Sequence, residues 1–126
     1  MIKVNKSIPW HVTVAELKKT IESDPSFVFP VVDLTEGFFL GSLERTDIQN
    51  FIQKIEKFGI DPRKRIHLDY DPAVVTVLED TSLQQLHLFF ITLKLRYAFV
   101  THFGITVGVV TREVLSNALK QQVHLI

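Results

Sequence analysis

The chain contains no cysteine, which excludes a disulfide framework and thiolate chemistry. It has no excess charge of either sign. Fourteen Lys and Arg residues are matched by fourteen Asp and Glu, whereas a nucleic-acid surface needs clustered positive charge. No apolar run approaches the roughly 18 residues of a membrane-spanning helix, so no direct membrane insertion is expected. The first residues are polar and charged, unlike the apolar core of a signal peptide. Catalytic patterns are missing too. The five histidines, His11, His67, His87, His102 and His124, fall in different segments, and a metal site needs three or four converging ligands. Gly41-Ser42 lacks the flanking glycine of a nucleophile elbow, and no phosphate-binding glycine pattern occurs. Glu79 and Asp80 sit in the polar lead-in to a helix, where the helix dipole favours anions. No enzyme activity, no catalytic residue and no metal are expected.

What is present suits one compact α/β unit. At 126 residues and 46% hydrophobic, the chain can bury a substantial core. Ile2, Val4, Ile8, Trp10 and Val12 alternate as in a strand or extended arm, with Pro9 suiting an edge. Thr13 with Glu16 forms a capping-box pattern ahead of a helix whose apolar stripe is Val14, Leu17 and Ile21. Phe29-Pro30-Val31-Val32-Asp33, Gly37 and Phe38 to Leu43 then read as a hairpin, with Pro30 expected at an edge or at the start of a strand. Thr46 and Asp47 are small capping-type residues beside the next helix, predicted over Arg45 to Phe58 with Ile48, Phe51, Ile52 and Ile55 apolar. Gly59 stops it.

The same grammar returns. Val74, Val75 and Val77 read as a strand; Thr81 or Ser82 caps a helix with the stripe Leu83, Leu86, Phe90 and Leu93. Tyr97 to Val100 and Ile105 to Val110 read as strands, Arg112 to Gln122 as a helix and Val123 to Ile126 as a tail. Thr13-Val14-Ala15-Glu16-Leu17 answers Ser82-Leu83-Gln84-Gln85-Leu86, Gly41 answers Gly108, and Arg45 answers Arg112. Copies of about 55 residues exceed the usual solenoid repeat and suit two half-domains: a first repeat over 1–59, a linker over 60–70 and a second repeat over 71–126. The basic triplet Arg63-Lys64-Arg65 in the linker reads as a solvated connector.

These motifs resemble a cystathionine-β-synthase (CBS) repeat, and two in tandem resemble a Bateman module. The wording of Phe29 to Asp33 and of Leu40-Gly41-Ser42-Leu43-Glu44-Arg45 is closer still to the cytoplasmic tail of CLC chloride channels. So is that of Asp71-Pro72, Leu93-Lys94-Leu95-Arg96 and Gly108-Val109-Val110-Thr111. The resemblance implies an α/β tandem pair of two β-α-β-β-α repeats with pseudo-twofold symmetry. It also implies a regulatory, gating-modulating role at the cytoplasmic side of the plasma membrane, homodimerisation, and the membrane domain of the same voltage-gated channel as partner. The alternative is an adenine-nucleotide-sensing module of another regulatory protein or enzyme.

In nucleotide-binding CBS pairs, a Ser or Thr ending the second hairpin strand and an Asp three residues later hold phosphate and ribose. Here each copy carries half of that pattern. The first has Asp47 but Glu44 in the hydroxyl position; the second has Thr111 but Val114 in the Asp position. Ser26 and Phe27 supply the hydroxyl and aromatic types expected near adenine. The resemblance thus marks Ser26, Phe27, Asp47 and Thr111 as a degenerate nucleotide site, at which ATP, ADP or AMP is not expected to bind tightly. Thr111 reads more simply as a helix cap. Leu88, Phe89, Val114, Leu115 and Leu119 form an apolar surplus expected to meet a second copy.

Overall fold

The structure, a computed structural model, describes residues 2–3 and 6–124. Val4 of the opening strand pattern and Leu125 and Ile126 of the tail lie outside the described residues. Contacts divide the chain into two units, the first Asn5–Ala73 and the second Val74–Ile126 with Met1–Val4.

The first unit contains β2 (Ile8–Pro9), β3 (His11–Thr13), α1 (Val14–Ser23), β4 (Val28–Val32), β5 (Phe39–Glu44), α2 (Arg45–Lys57) and β6 (Arg65–His67). β2 runs parallel to β4, and β4 pairs antiparallel with β5; β3 and β6 form a separate antiparallel pair. The capping box is present: Glu16 N–H donates to Thr13 Oγ1 at 3.2 Å and Thr13 N–H to Glu16 Oε2 at 3.4 Å, which satisfies two orphan donors reciprocally. One Asp33 carboxylate oxygen accepts N–H bonds from Glu36, Gly37 and Phe38 and so closes the hairpin. Ile8, Val12, Val14, Leu17, Phe29, Ile48, Ile52, Ile55 and Leu68 are the buried core.

The second unit contains β1 (Ile2–Lys3), β7 (Thr76–Leu78), α3 (Leu83–Leu93), β8 (Tyr97–His102), β9 (Ile105–Thr111) and α4 (Arg112–His124). Its strand order is β1-β9-β8-β7, with β7 parallel to β8 and the other pairs antiparallel. Each unit therefore runs strand, helix, parallel strand, hairpin partner, helix. Ser82, rather than Thr81, caps α3 in a second capping box with Gln85. Val77, Leu86, Phe90, Ala98, Val100, Val110 and Leu115 form the core.

The outer strand of each hairpin is joined by a segment from elsewhere in the chain. Lys3 lies opposite Gly108 on β9. On β5, Ser42 and Asp71 exchange both backbone hydrogen bonds, at 3.0 and 2.9 Å. A Cβ on Gly41 would sit 2.3 Å from Asp71 O and 2.6 Å from Tyr70 Cδ2. Glycine is required there because another backbone passes in contact.

Several expectations are corrected. Pro30 lies in the central strand β4, not at an edge. Arg45 N–H donates to Phe27 O, so by alternation the Pro30–Ser42 pair is a non-hydrogen-bonded one. On its other side β2 reaches only Val31 and Val32, so the missing N–H costs no ladder bond. Residues 60–70 are not a bare linker. They belong to the first unit, supply β6, and place Pro62 O where Ala15 N–H donates to it at 3.0 Å. Thr46 and Asp47 fall inside the first turn of α2, and the N-cap is Glu44, whose side chain makes no capping bond. Leu93 is exposed, because the chain turns left-handed at Lys94 and Leu95 packs on the core instead. α4 continues to His124, into the stretch expected as a tail.

Candidate functional site

The junction between each hairpin and the helix after it is held by an arginine. Arg45 donates from Nε to Ser26 O at 2.9 Å, and from Nη2 to Ile21 O at 2.8 Å and to Asp24 O. Its guanidinium also lies over the Phe29 ring, 5.6 Å from the centroid. It thereby ties the end of α1 to the start of α2. Arg112 makes the shorter version, with Nε and Nη2 donating to Leu95 O at 3.1 and 2.7 Å. The repeated arginine of the sequence is a structural clamp.

The residues expected around a nucleotide are distributed around these junctions. Ser26 donates its hydroxyl to Asp24 Oδ1 at 2.6 Å, and the same oxygen accepts Ser26 N–H at 3.0 Å. Phe27 is 40% exposed and Asp47 is exposed in the first turn of α2; all three belong to the first unit. Thr111 lies in the second, where its Oγ1 accepts Val114 N–H at 3.2 Å, an N-cap bond for α4. Val114 is half-buried and offers no acceptor for a ribose hydroxyl.

The residues expected to meet a second copy separate by depth. Leu88 is 60% and Phe89 38% exposed on α3. Val114 and Leu119 are half-buried. Leu115 is 3% exposed and belongs to the core of the second unit.

Sequence reasoning missed a groove of about 630 Å³ between α3 and α4. Phe90, Ile91, Leu115 and Leu119 give it an apolar floor, while His87, Lys94, Arg112 and Lys120 supply basic groups and Ser116 a hydroxyl. The available signal was the unusual apolarity of α3, in which Leu88, Phe89, Ile91 and Leu93 remain exposed although the core takes only one stripe. In the first unit, His11 and His67 face each other across β3 and β6 with ring centroids 4.5 Å apart, and Trp10 meets His67 edge-on at 4.7 Å. Among the described residues, no group of three or more His, Cys, Asp or Glu is placed to hold a metal ion.

No protein-family model matches the chain. Solved structures do. The CBS domain of a CBS domain containing membrane protein from Sphaerobacter thermophilus superimposes with a TM-score of 0.71 at 20% identity, covering 91% of this chain and 81% of that one. The structure of CBSX2 in complex with AMP matches with a TM-score of 0.69 at 17% identity, over 97% and 93% of the two chains. A putative acetoin utilization protein (AcuB) from Vibrio cholerae gives 0.69 at 16% identity, over 99% and 90%. The chain has the fold of a tandem CBS pair. Its two CBS units carry the strand–helix–hairpin–helix order that the repeated motifs imply. Among curated proteins, the chloride channel protein ClC-Kb of Xenopus laevis is 29% identical over 124 residues, which covers 90% of the CBS pair. The pair spans 18% of the length of that relative. Among the described residues of the CBS pair, no helix is long and apolar enough to cross a membrane.

Proposed function

We propose that this CBS pair is a non-catalytic regulatory module of a CLC-type chloride channel, acting at the cytoplasmic side of the plasma membrane. The observation that carries the reading is the similarity to ClC-Kb, which runs through both CBS units rather than through one shared motif. Its mechanism is conformational. The module biases opening if it contacts the conducting part differently in the open and closed states, since coupling between sites is a difference in free energy between two states. It works as one of two copies, paired through α3, where Leu88, Phe89 and Leu93 are exposed. In a ClC-Kb channel whose matching segment is replaced by this chain, chloride currents persist and Leu88→Asp/Phe89→Asp shifts their gating. A chimera with currents indifferent to removal of the whole chain would sink the proposal.

The rival reading, an adenine-nucleotide sensor, has behind it the likeness to CBSX2, which was solved with AMP. The residues weigh against it. Glu44 stands where a phosphate would need a hydroxyl, Val114 stands where a ribose would need a carboxylate, and the Thr111 hydroxyl already caps α4. Losing one charged acceptor removes roughly 1.5–3 kcal/mol, enough to move a binding constant near 0.1 mM into the millimolar range on about 2 kcal/mol. Calorimetric titration with ATP, ADP and AMP up to about 1 mM therefore gives no saturable heat; a micromolar dissociation constant would favour the sensor.

A further inference from the structure

We propose that His11 and His67 chelate a zinc-type divalent ion, which staples β6 and the segment around it to the first unit. The two residues stand opposite each other on β3 and β6. Leu68 N–H donates to Trp10 O at 2.8 Å, so the ladder bonds lie to either side of the His11–His67 pair, which is a non-hydrogen-bonded one. At such a pair the facing side chains come closest. Val12 and Ile66, the next pair, turn inward onto the core. Both imidazoles therefore lie on the outer face, His11 half-buried and His67 exposed.

The spacing fits a chelate. An ion about 2.0–2.1 Å from an imidazole nitrogen lies about 3.2 Å from the ring centre, and two such rings at about 90–110° around it have centres about 4.5–5.2 Å apart. The separation here is 4.5 Å, with the ring planes tilted by 54°. Trp10 backs the pair, 4.7 Å from His67 and 5.6 Å from His11, and limits how far either ring can swing. Among the described residues no third His, Cys, Asp or Glu joins them. Water completes the shell, and the ion exchanges more readily than in a site with three or four protein ligands. Imidazole suits zinc, nickel and copper, whereas magnesium and calcium need oxygen ligands. Arg65, two positions from His67 on the same strand face, further disfavours ions held by charge alone. β6 has only three residues, and an ion that binds the paired strands but not the separated ones holds them together.

Trp10 is the one tryptophan of the chain and lies against both rings, so its fluorescence reports the site through quenching by nickel(II). Titration of the intact chain with nickel chloride quenches it saturably at one ion per chain. Zinc chloride restores the emission by competition and magnesium chloride does not. His67→Gln, at an exposed position, and His11→Gln each weaken nickel about a hundredfold, the loss expected when an intramolecular second ligand is removed. Melting curves without metal check that both variants are folded. His102→Gln, in the second unit, leaves the affinity unchanged. Zinc also slows hydrogen exchange at the Val12 and Ile66 amides of the parent chain and not of His67→Gln. The proposal is overturned by the absence of saturable quenching up to about 1 mM nickel, and equally by parental affinity in both His11→Gln and His67→Gln. One ion per two chains, with association in sedimentation, would replace it with a site shared between copies.

Discussion

Between α1 and α2 the first CBS unit has a groove of about 360 Å³ lined by Lys18, Ile21, Glu22, Gln49, Ile52, Gln53 and Glu56, with Lys18 paired to Glu56. That hydrogen bond, followed by the carboxylate's charge, raises the lysine above its ordinary pKa. Between α3 and α4 the second unit has a larger groove with an apolar floor and basic groups, and among the described residues no carboxylate lines it. The framework around both is the same: a capping box opens α1 and α3, and an arginine clamps the start of α2 and α4. The framework fixes where the two helices lie, while the side chains between them differ from one unit to the other. Function is to be sought where the units differ, since what they share is already accounted for by folding.

The sharpest way to break the comparison is to put a carboxylate into both grooves. Leu115→Asp buries a charge at a position 3% exposed, which costs several kcal/mol. The second unit should lose hydrogen-exchange protection at Val100 and Val110 while the first retains its own. Gln53→Asp, at an exposed position in the first groove, should leave the urea midpoint where it was. A folded Leu115→Asp protein would mean that the residue is a surface contact after all. A smaller effect separates the clamps. Arg45 has three carbonyl acceptors and the Phe29 ring, Arg112 one acceptor. Arg45→Met should cost about 2–3 kcal/mol and Arg112→Met about 1 kcal/mol in chemical denaturation. Equal losses would show that the two clamps are energetically alike despite their different reach.

Local chemistry was legible in the sequence and distant partners were not. Thr13 with Glu16 and Gly59 declared their helix ends because the atoms that satisfy one another lie within a few residues. The repeated Gly41 and Gly108 marked a requirement without saying what imposed it, because Asp71 reaches Gly41 from 30 positions away. Pro30 was misplaced for the same reason: its tolerance in a central strand depends on how far β2 extends. Residues 60–70 looked like a connector because β6 is short and its partner β3 lies far back in the chain. The α3–α4 groove was not legible because its lining comes from two helices about 20 residues apart in the chain, His87 to Ile91 on one and Leu115 to Lys120 on the other.

The pairing of β1 with β9 sets an order of attachment that differs from the order of residues. Ile2–Lys3 precedes the whole first unit in sequence yet is bonded into the sheet of the second. Any polypeptide joined ahead of Met1 would therefore pull on β9 before it pulled on β2. A displacement arriving from that side would be delivered along a strand to Thr111, where β9 meets α4. The unit that comes second in the sequence would then be the first to be moved.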